Sequence, residues 1–281
     1  MTCDILEYPN LERFHDEYYR RNRPVVLRGL AGAQQSKVFD WSAGYFENVL
    51  GDKKVPVIET DTGFLSYERD VTQMPYREFV ARSFGSGRRS NTRLYFKNST
   101  KILPPGHDDS ERIEVLAPYI QRSLMRNLWI SGGGITVGLH FDHADNLNFQ
   151  LRGEKVFMLF PPGVRGYYPM PMFSQKAHIS RVFRDGPTPD FARFPRFDLA
   201  KGIRAELVAG DIIYVPAYWW HQVESLGDEN VNLNFWWLPP AWKQILHWNQ
   251  ALRGYYQLFS RFLRHGGFAK APSESAKVAQ G

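Results

Sequence analysis

The chain has 281 residues, of which 15% are aromatic and 23% are charged. These values are typical of a globular protein with a sizeable core and exclude a disordered chain. No run approaches the ~18 apolar residues that a membrane-spanning helix needs. The net charge of +6, with basic clusters at residues 18–24 and 82–93, favours anionic ligands only weakly, and nucleic-acid binding usually needs a denser patch.

The cysteine content and the first residues bear on the compartment. Cys3 is the single cysteine of the sequence and cannot form an internal disulfide. The opening residues are acidic where a secretory signal would be basic and then apolar. We therefore expect a cytoplasmic protein with no membrane partner.

The first 93 residues alternate helical and strand patterns. Apolar residues three or four apart predict an amphipathic helix over residues 10–22, and the β-branched run at 23–30 predicts a strand. Two more helices are predicted around residues 41–51 and 74–85. We expect residues 1–93 to form an α/β flank of the domain that follows.

Residues 94–240 have a different texture. Short β-rich segments are separated by Gly, Pro and Asp turns, a pattern that predicts a mainly β fold with flanking helices, built as a sandwich or barrel. The segment at 163–200 shows little periodicity, and loops of that length are usually functional or mobile.

The C-terminal part is helical and then featureless. Residues 241–265 carry an apolar stripe that fits either packing within the same chain or the interface of a homodimer, and we expect a dimer formed through these helices. Residues 266–281 have almost nothing to bury, so we expect a disordered tail.

The segment "GLHFDHADNLNFQLRGEK" (138–155) concentrates polar side chains whose directions follow from strand geometry. Side chains alternate between the two faces of a strand, so His140 and Asp142 point together and His143 points away. We expect His143 and Asp145 to be turn or surface groups. Further along, amides alternate with apolar residues in two strands and face either a barrel interior or water: Asn146, Asn148 and Gln150, and Asn230, Asn232 and Asn234.

His140, Asp142 and the distant His221 form a two-histidine, one-carboxylate set. Such a set occupies one face of an octahedral iron(II) ion and leaves three positions open. A lone His-x-Asp pattern is common by chance, but it gains weight when a third ligand stands on another β segment. Lys155 strengthens the signal further. The sequence therefore predicts a metal site formed by these three side chains.

Several motifs together resemble the cupin-like branch of the JmjC oxygenases, which includes the asparaginyl hydroxylase of hypoxia-inducible factor. They are "HFDHADNLNFQLRGEKVFMLFPP", "GDIIYVPAYWWHQVES", "NLNFWW", "RPVVLRGL" and "RLYFKN", and the match covers roughly residues 10–240. The resemblance implies a double-stranded β-helix, the cupin or jelly-roll core. It also implies iron(II), 2-oxoglutarate as cosubstrate, and dioxygen.

The resemblance assigns roles residue by residue. His140, Asp142 and His221 match the metal ligands. Lys155 and Tyr95 match the residues that bind the distal carboxylate of 2-oxoglutarate, the one farther from the metal. Asn146 and Asn234 match amides near the metal and the proximal carboxylate.

Two positions depart from the family pattern. Relatives often have a threonine three residues before the first ligand, whereas here Val137 holds that position and Thr136 comes one earlier. Either a local bulge turns Thr136 into the pocket, or the pocket uses Lys155 and Tyr95. Asn148 stands where relatives often have an aromatic or aliphatic residue.

The resemblance implies a dioxygenase that hydroxylates a protein or peptide side chain. Two alternatives stay open at this point: a small-molecule hydroxylase or N-demethylase of the same class, and a non-catalytic cupin that only binds. The intact ligand set with Lys155 argues against the last, because a binding module has no need of an open metal face.

Overall fold

The structure is a computed structural model that describes residues 1–30, 36–65, 71–85, 92–114, 116–183 and 186–265. The tail predicted at 266–281 lies outside these residues. The strands are β1 (Ile5–Glu7), β2 (Val25–Arg28), β3 (Lys54–Thr60), β4 (Phe64–Leu65), β5 (Val71–Pro75), β6 (Arg93–Ser99), β7 (Met125–Ser131), β8 (Ile135–Phe141), β9 (Asp145–Phe160), β10 (Ile203–Leu207), β11 (Ile212–Val215) and β12 (Trp220–Trp237). The helices are α1 (Leu11–Phe14), α2 (Ala43–Leu50), α3 (Tyr76–Phe84), α4 (Ala117–Ile120), α5 (Ala241–Leu246) and α6 (Trp248–His265).

Two long strands, β9 and β12, organise the fold by pairing antiparallel along both of their halves. The register shifts between Leu226 and Val231, and there the pair passes from one layer to the other. The first layer has the strand order β1-β2-β11-β9-β12-β7-β6-β3-β5. In the second layer β10 pairs with residues 155–159 of β9, β8 pairs with residues 220–225 of β12, and β4 pairs with β8. The result is the mainly β double-stranded β-helix that the sequence predicts.

The outer faces of both layers are apolar. Helices α1 to α4 cover the first layer, where Phe149 and Leu233 join a cluster with Phe46 and Phe79. The loop at 163–200 and helix α6 cover the second layer. Successive side chains of a strand point to opposite faces. Because Phe149 and Leu233 face the helices, the amide side chains next to them in the sequence face the interior between the two layers.

The predicted elements of the N-terminal flank are present. The helix expected at 10–22 begins at Leu11, where Asn10 accepts from the backbone of Arg13, and continues as a π-helical turn to Tyr19. The expected strand is β2, and the two later helices are α2 and α3. The sheet continues from this flank into the β region through β3 and β6, so the division at residue 93 stays a prediction.

Asp145 is not the turn or surface group that we expected. It is fully buried at the start of β9 and forms an ion pair with Lys243 of α5 at 2.7 Å, with both side chains 0% exposed. The Tyr214 hydroxyl and the backbone amide of Ala217 also donate to it. The partner that makes burial of this carboxylate affordable lies almost 100 residues away on another element, so local sequence gives no sign of it.

None of the helices in the described ranges is long and apolar enough to cross a membrane.

The buried ion pair generates a prediction about stability. Lys243→Met leaves the Asp145 carboxylate buried without its cation, which should lower the free energy of unfolding by ~3–5 kcal/mol. The double variant Asp145→Asn, Lys243→Met should lose clearly less than the sum of the two single variants, because it leaves no buried charge. Urea denaturation measures both values, and additive losses would contradict the argument.

Candidate functional site

Three side chains converge where β8 ends and β12 begins. His140 and His221 lie directly opposite each other in the strand register, with ring centroids 4.3 Å apart. Asp142 follows the end of β8, and its Oδ2 lies 3.7 Å from Nε2 of His221. One ligand atom from each of the three lies within 4.8 Å of the others, a group that could hold a metal ion.

The backbone fixes which ring nitrogen each histidine presents. Nδ1 of His140 lies 2.8 Å from the carbonyl of Gly138, and Nδ1 of His221 lies 3.0 Å from the carbonyl of Trp219. A carbonyl only accepts, so each Nδ1 carries a proton, and Nε2 is the ring nitrogen left to bind a metal. Such contacts typically orient histidine ligands around a metal. The donor set therefore fits a divalent transition metal such as iron(II).

The loops that carry the ligands are held by backbone and by helix α6. The amide of Tyr218 donates to the carbonyl of Asp142, although Tyr218 itself has a φ of +71°. Gln250 of α6 donates to the carbonyl of Tyr218 at 2.8 Å. Gln257 of α6 lies 3.2 Å from Nε2 of His143, which places His143 half-buried against the helix, away from the metal group.

The register also defines the face that leads inward from the ligands. His221, Val223 and Ser225 alternate along β12 and share one face, and Ser225 lies opposite Lys155 of β9. At ~3.3 Å per residue, Ser225 stands roughly 13 Å along the strand from His221. The interior therefore has the group of His140, Asp142 and His221 at one end and, well inside, the buried Lys155.

Lys155 is buried and has no charged partner in the part of the chain that the structure describes. Its side chain is 4% exposed, and its ammonium donates to Oδ1 of Asn232 across the interior. No carboxylate of the described residues lies within ion-pair distance of it. Burial lowers the pKa of Lys155 to about 7. A cation in this position fits a bound anion, which would supply the missing charge.

A bulge in β8 settles which of Val137 and Thr136 faces the interior. His221 pairs with His140, but Val223 pairs with Val137, so β8 has one extra residue between these pairs. Cross-strand partners share a face, which puts Val137 on the interior face and Thr136 on the other, opposite exposed Glu224. The structure therefore does not bring Thr136 to Lys155, against our expectation of a cosubstrate contact.

The other predicted side chains lie on the interior face. Tyr95 is 3% exposed and packs in one cluster with Ile135, which lies opposite Ser225. Asn234 donates to Oδ1 of Asn146 at 3.3 Å. The amides of both β9 and β12 thus face the barrel interior, which resolves the choice between interior and water.

One row of three asparagines crosses the interior and includes a residue that the sequence reasoning missed. Asn127, Asn234 and Asn148 are partners across β7, β12 and β9. Within the described ranges, Nδ2 of Asn127 and Oδ1 of both Asn148 and Asn234 are buried without a hydrogen-bond partner. Asn127 could have been found from the alternation of "RNLWIS". Buried unsatisfied groups are costly, so this row fits a polar ligand.

The comparisons with known proteins agree on one family. Residues 11–242 match the model described as a cupin-like domain. The human bifunctional peptidase and (3S)-lysyl hydroxylase JMJD7 is 26% identical, over 83% of this chain and 85% of its own length. Lysine-specific demethylase 8 of Xenopus tropicalis is 27% identical over 83% and 52%, and tRNA wybutosine-synthesizing protein 5 of Gallus gallus is 29% identical over 80% and 74%.

The ligand geometry generates a prediction about metal binding. Asp142→Ala should weaken binding of manganese(II), a redox-inert substitute for iron(II), by more than ~100-fold. Removing a residue that only orients a metal ligand already costs about 10- to 100-fold in affinity, and Asp142→Ala removes a ligand itself. The thermal midpoint of the metal-free protein should hardly change, since Asp142 is not a core residue. Asp52→Ala, at an exposed carboxylate, is the control and should bind manganese(II) normally. Equal affinities for wild type and Asp142→Ala would contradict the ligand assignment.

Proposed function

The chain belongs to the cupin-like domain family, and from that premise we propose that it is an iron(II)- and 2-oxoglutarate-dependent dioxygenase that hydroxylates a protein or peptide side chain. One observation carries the proposal: a two-histidine, one-aspartate group and a buried lysine without a carboxylate partner among the described residues share one interior face. A dianionic cosubstrate that chelates the metal at one end and needs a cation at the other fits this arrangement.

Each side chain then has a physical task. His140, Asp142 and His221 hold the metal and leave three positions for cosubstrate and dioxygen. Lys155 and Tyr95 bind the distal carboxylate, while Asn146 and Asn234 contact the proximal one. When bound, iron and 2-oxoglutarate would supply the oxidation. 2-Oxoglutarate loses carbon dioxide and takes one atom of dioxygen to become succinate, and the other atom is inserted into a C–H bond of the substrate. The barrel contributes orientation and exclusion of water.

The substrate class is the finer part of the proposal. One similar protein is named for lysyl hydroxylation, one for lysine demethylation and one for synthesis of wybutosine in tRNA. We favour a protein or peptide side chain because the lysyl hydroxylase matches over most of both chains. The assay must also be able to detect hydroxylation of a small molecule, demethylation, and reaction with tRNA.

Succinate formation tests the proposal directly. The purified protein with iron(II), 2-oxoglutarate and ascorbate is offered a peptide library, a metabolite panel and bulk tRNA in separate reactions. We expect succinate above the uncoupled background with peptides, together with a mass gain of one oxygen atom on the product. Asp142→Ala is the inactive control. Stimulation by metabolites or tRNA alone would overturn the substrate class, and no turnover of 2-oxoglutarate under any condition would overturn the enzyme.

We also infer a cytoplasmic location from the chemistry of Cys3. This residue is the single cysteine, it is buried, and burial raises its pKa to about 12. It therefore stays a protonated, inert thiol. A chain without structural disulfides suits a reducing compartment.

Helix α6 supports the inference of a homodimer, because its burial is inverted. Polar side chains face the chain's own core: Gln250, Arg253, Gln257 and Ser260 are each 8% exposed or less. Large apolar side chains of α5 and α6 face outward, namely Trp242, Ile245, Leu246, Trp248, Leu252, Tyr255, Leu258, Phe259, Phe262 and Leu263. Against the residues that the structure describes, the stripe thus stays largely exposed. A contiguous apolar surface of this kind marks an interface, and a second copy offers the same surface for a two-fold contact.

The dimer prediction is tested by sedimentation at micromolar concentration. Wild-type protein should sediment as a dimer, and Leu258→Glu with Phe259→Glu should sediment as a folded monomer, because two charges would be buried in the contact. Val208→Glu, at an apolar residue that is 48% exposed elsewhere, is the matched control and should stay dimeric. A monomeric wild type would contradict the inference.

The buried lysine gives a pH-dependent prediction for the cosubstrate. Lys155 has a pKa of about 7 in the free protein, and a bound carboxylate should raise it. Below pH 7 the lysine is already charged and affinity should be constant. Above pH 7 binding must take up a proton, so affinity should fall by up to tenfold per pH unit until the pKa of the complex is reached.

Calorimetry of 2-oxoglutarate binding to the manganese(II) protein measures both features. Proton uptake at pH 8.5 is measured by repeating the titration in buffers that differ in ionisation enthalpy, because the heat of binding then changes with the buffer in proportion to the protons taken up. Lys155→Met should weaken binding ~10- to 100-fold, the size of a charged hydrogen bond at ~1.4 kcal/mol per decade, and should abolish the uptake. Tyr95→Phe should have the smaller effect. Unchanged affinity in Lys155→Met would show that this lysine does not bind the cosubstrate.

A further inference from the structure

The carboxylate that Lys155 would bind needs more donors than the lysine can give. An ammonium has three N–H donors, and one of them is used on Asn232. A buried carboxylate has about four acceptor positions, and each one left unsatisfied is costly. Besides Lys155 and Tyr95, the distal end of the site therefore requires another donor.

The neighbouring amides do not supply it. Asn232 uses both of its amide protons, one on the carbonyl of Phe149 and one on Gln150. Gln150 uses both of its own on the carbonyl of Arg152 and on Asn230. This network donates only within itself, so a hydroxyl on the same face is the next donor to consider.

Strand β8 does not supply a hydroxyl either. The bulge turns Thr136 away from the interior and brings in Val137, and the next interior side chain of β8 is Ile135. Both interior side chains lack a polar atom. The hydroxyl has to come from another strand.

We propose that Ser225 of β12 supplies this hydroxyl and binds the distal carboxylate together with Lys155. Ser225 is the direct cross-strand partner of Lys155 on one side and of Ile135 on the other. It is 3% exposed, and its hydroxyl forms no hydrogen bond with any residue of the described ranges. Pairing on both sides fixes its backbone and turns its side chain to the same face as that of Lys155. This inference rests on the proposed use of 2-oxoglutarate.

Ser131 of β7 is the competing hydroxyl. It is 1% exposed and lies opposite Tyr95 and Asn230. Its place in the register is beside the amide network that the Lys155 ammonium reaches through Asn232, whereas Ser225 is the direct cross-strand partner of Lys155 itself. The geometry therefore favours Ser225, and a variant of each separates them.

The experiment compares the binding of two 2-oxo acids to manganese(II)-loaded protein by calorimetry. 2-Oxoglutarate has the distal carboxylate, and 2-oxopentanoate has the same chain length without it. Ser225→Ala should weaken 2-oxoglutarate binding about tenfold, the size of one hydrogen bond to a charged group. It should leave 2-oxopentanoate and manganese(II) binding unchanged. Ser225→Thr keeps the hydroxyl and should stay within about threefold of wild type, and Thr136→Ala should stay within about twofold.

The outcomes separate this inference from the proposed function. Weakening by Lys155→Met and Ser131→Ala but not by Ser225→Ala would overturn the role of Ser225 and leave the function standing. Equal losses for both 2-oxo acids in Ser225→Ala would show a structural effect and also overturn it. No effect of Lys155→Met on 2-oxoglutarate would instead overturn the cosubstrate assignment itself.

Discussion

The pairing of β9 with β12 is the constraint from which the rest of the site follows. These strands have 16 and 18 residues and belong to both layers. Residues 220–226 of β12 and 154–160 of β9 form the part of the pair that carries His221 and Lys155. The other part carries the facing amides. A slip of one residue would turn every one of these side chains to the opposite face. The relative positions of the group that could hold a metal and of Lys155 are therefore set by a single register.

The two faces of this strand pair divide the tasks of stability and chemistry. The outer faces join apolar clusters with the helices and the 163–200 loop, and burial of that surface stabilises the fold. The inner face has a lysine without a carboxylate partner among the described residues and asparagine atoms without hydrogen bonds. Such groups cost free energy when no ligand pairs with them, and a ligand that completes their bonds recovers it. The interior is thus organised for binding.

Much of the architecture could be predicted from the sequence, because alternation and turn residues are local signals. They gave the order of helices and strands and grouped the amides on one face. The direction of that face depended on the layer packing, which is not local. That Val137 and not Thr136 faces the interior was not predictable either, since the bulge exists only through the pairing of β8 with β12. The burial of Asp145 required Lys243, which lies on a distant helix.

The shared strand pair also has a consequence for how the chain folds. His140 and Asp142 lie on or just beyond β8, and their common partner strand is among the last elements of the sheet to be synthesised. Loop closure over such separations must precede any stabilising contact, which makes folding slow. A nascent chain that stops before Trp220 has His140, Asp142 and Lys155, but β8 and the second half of β9 lack the strand that joins them. The group that could hold a metal is therefore a late product of folding, and until β12 has been added both of its neighbours expose unpaired edges to other chains.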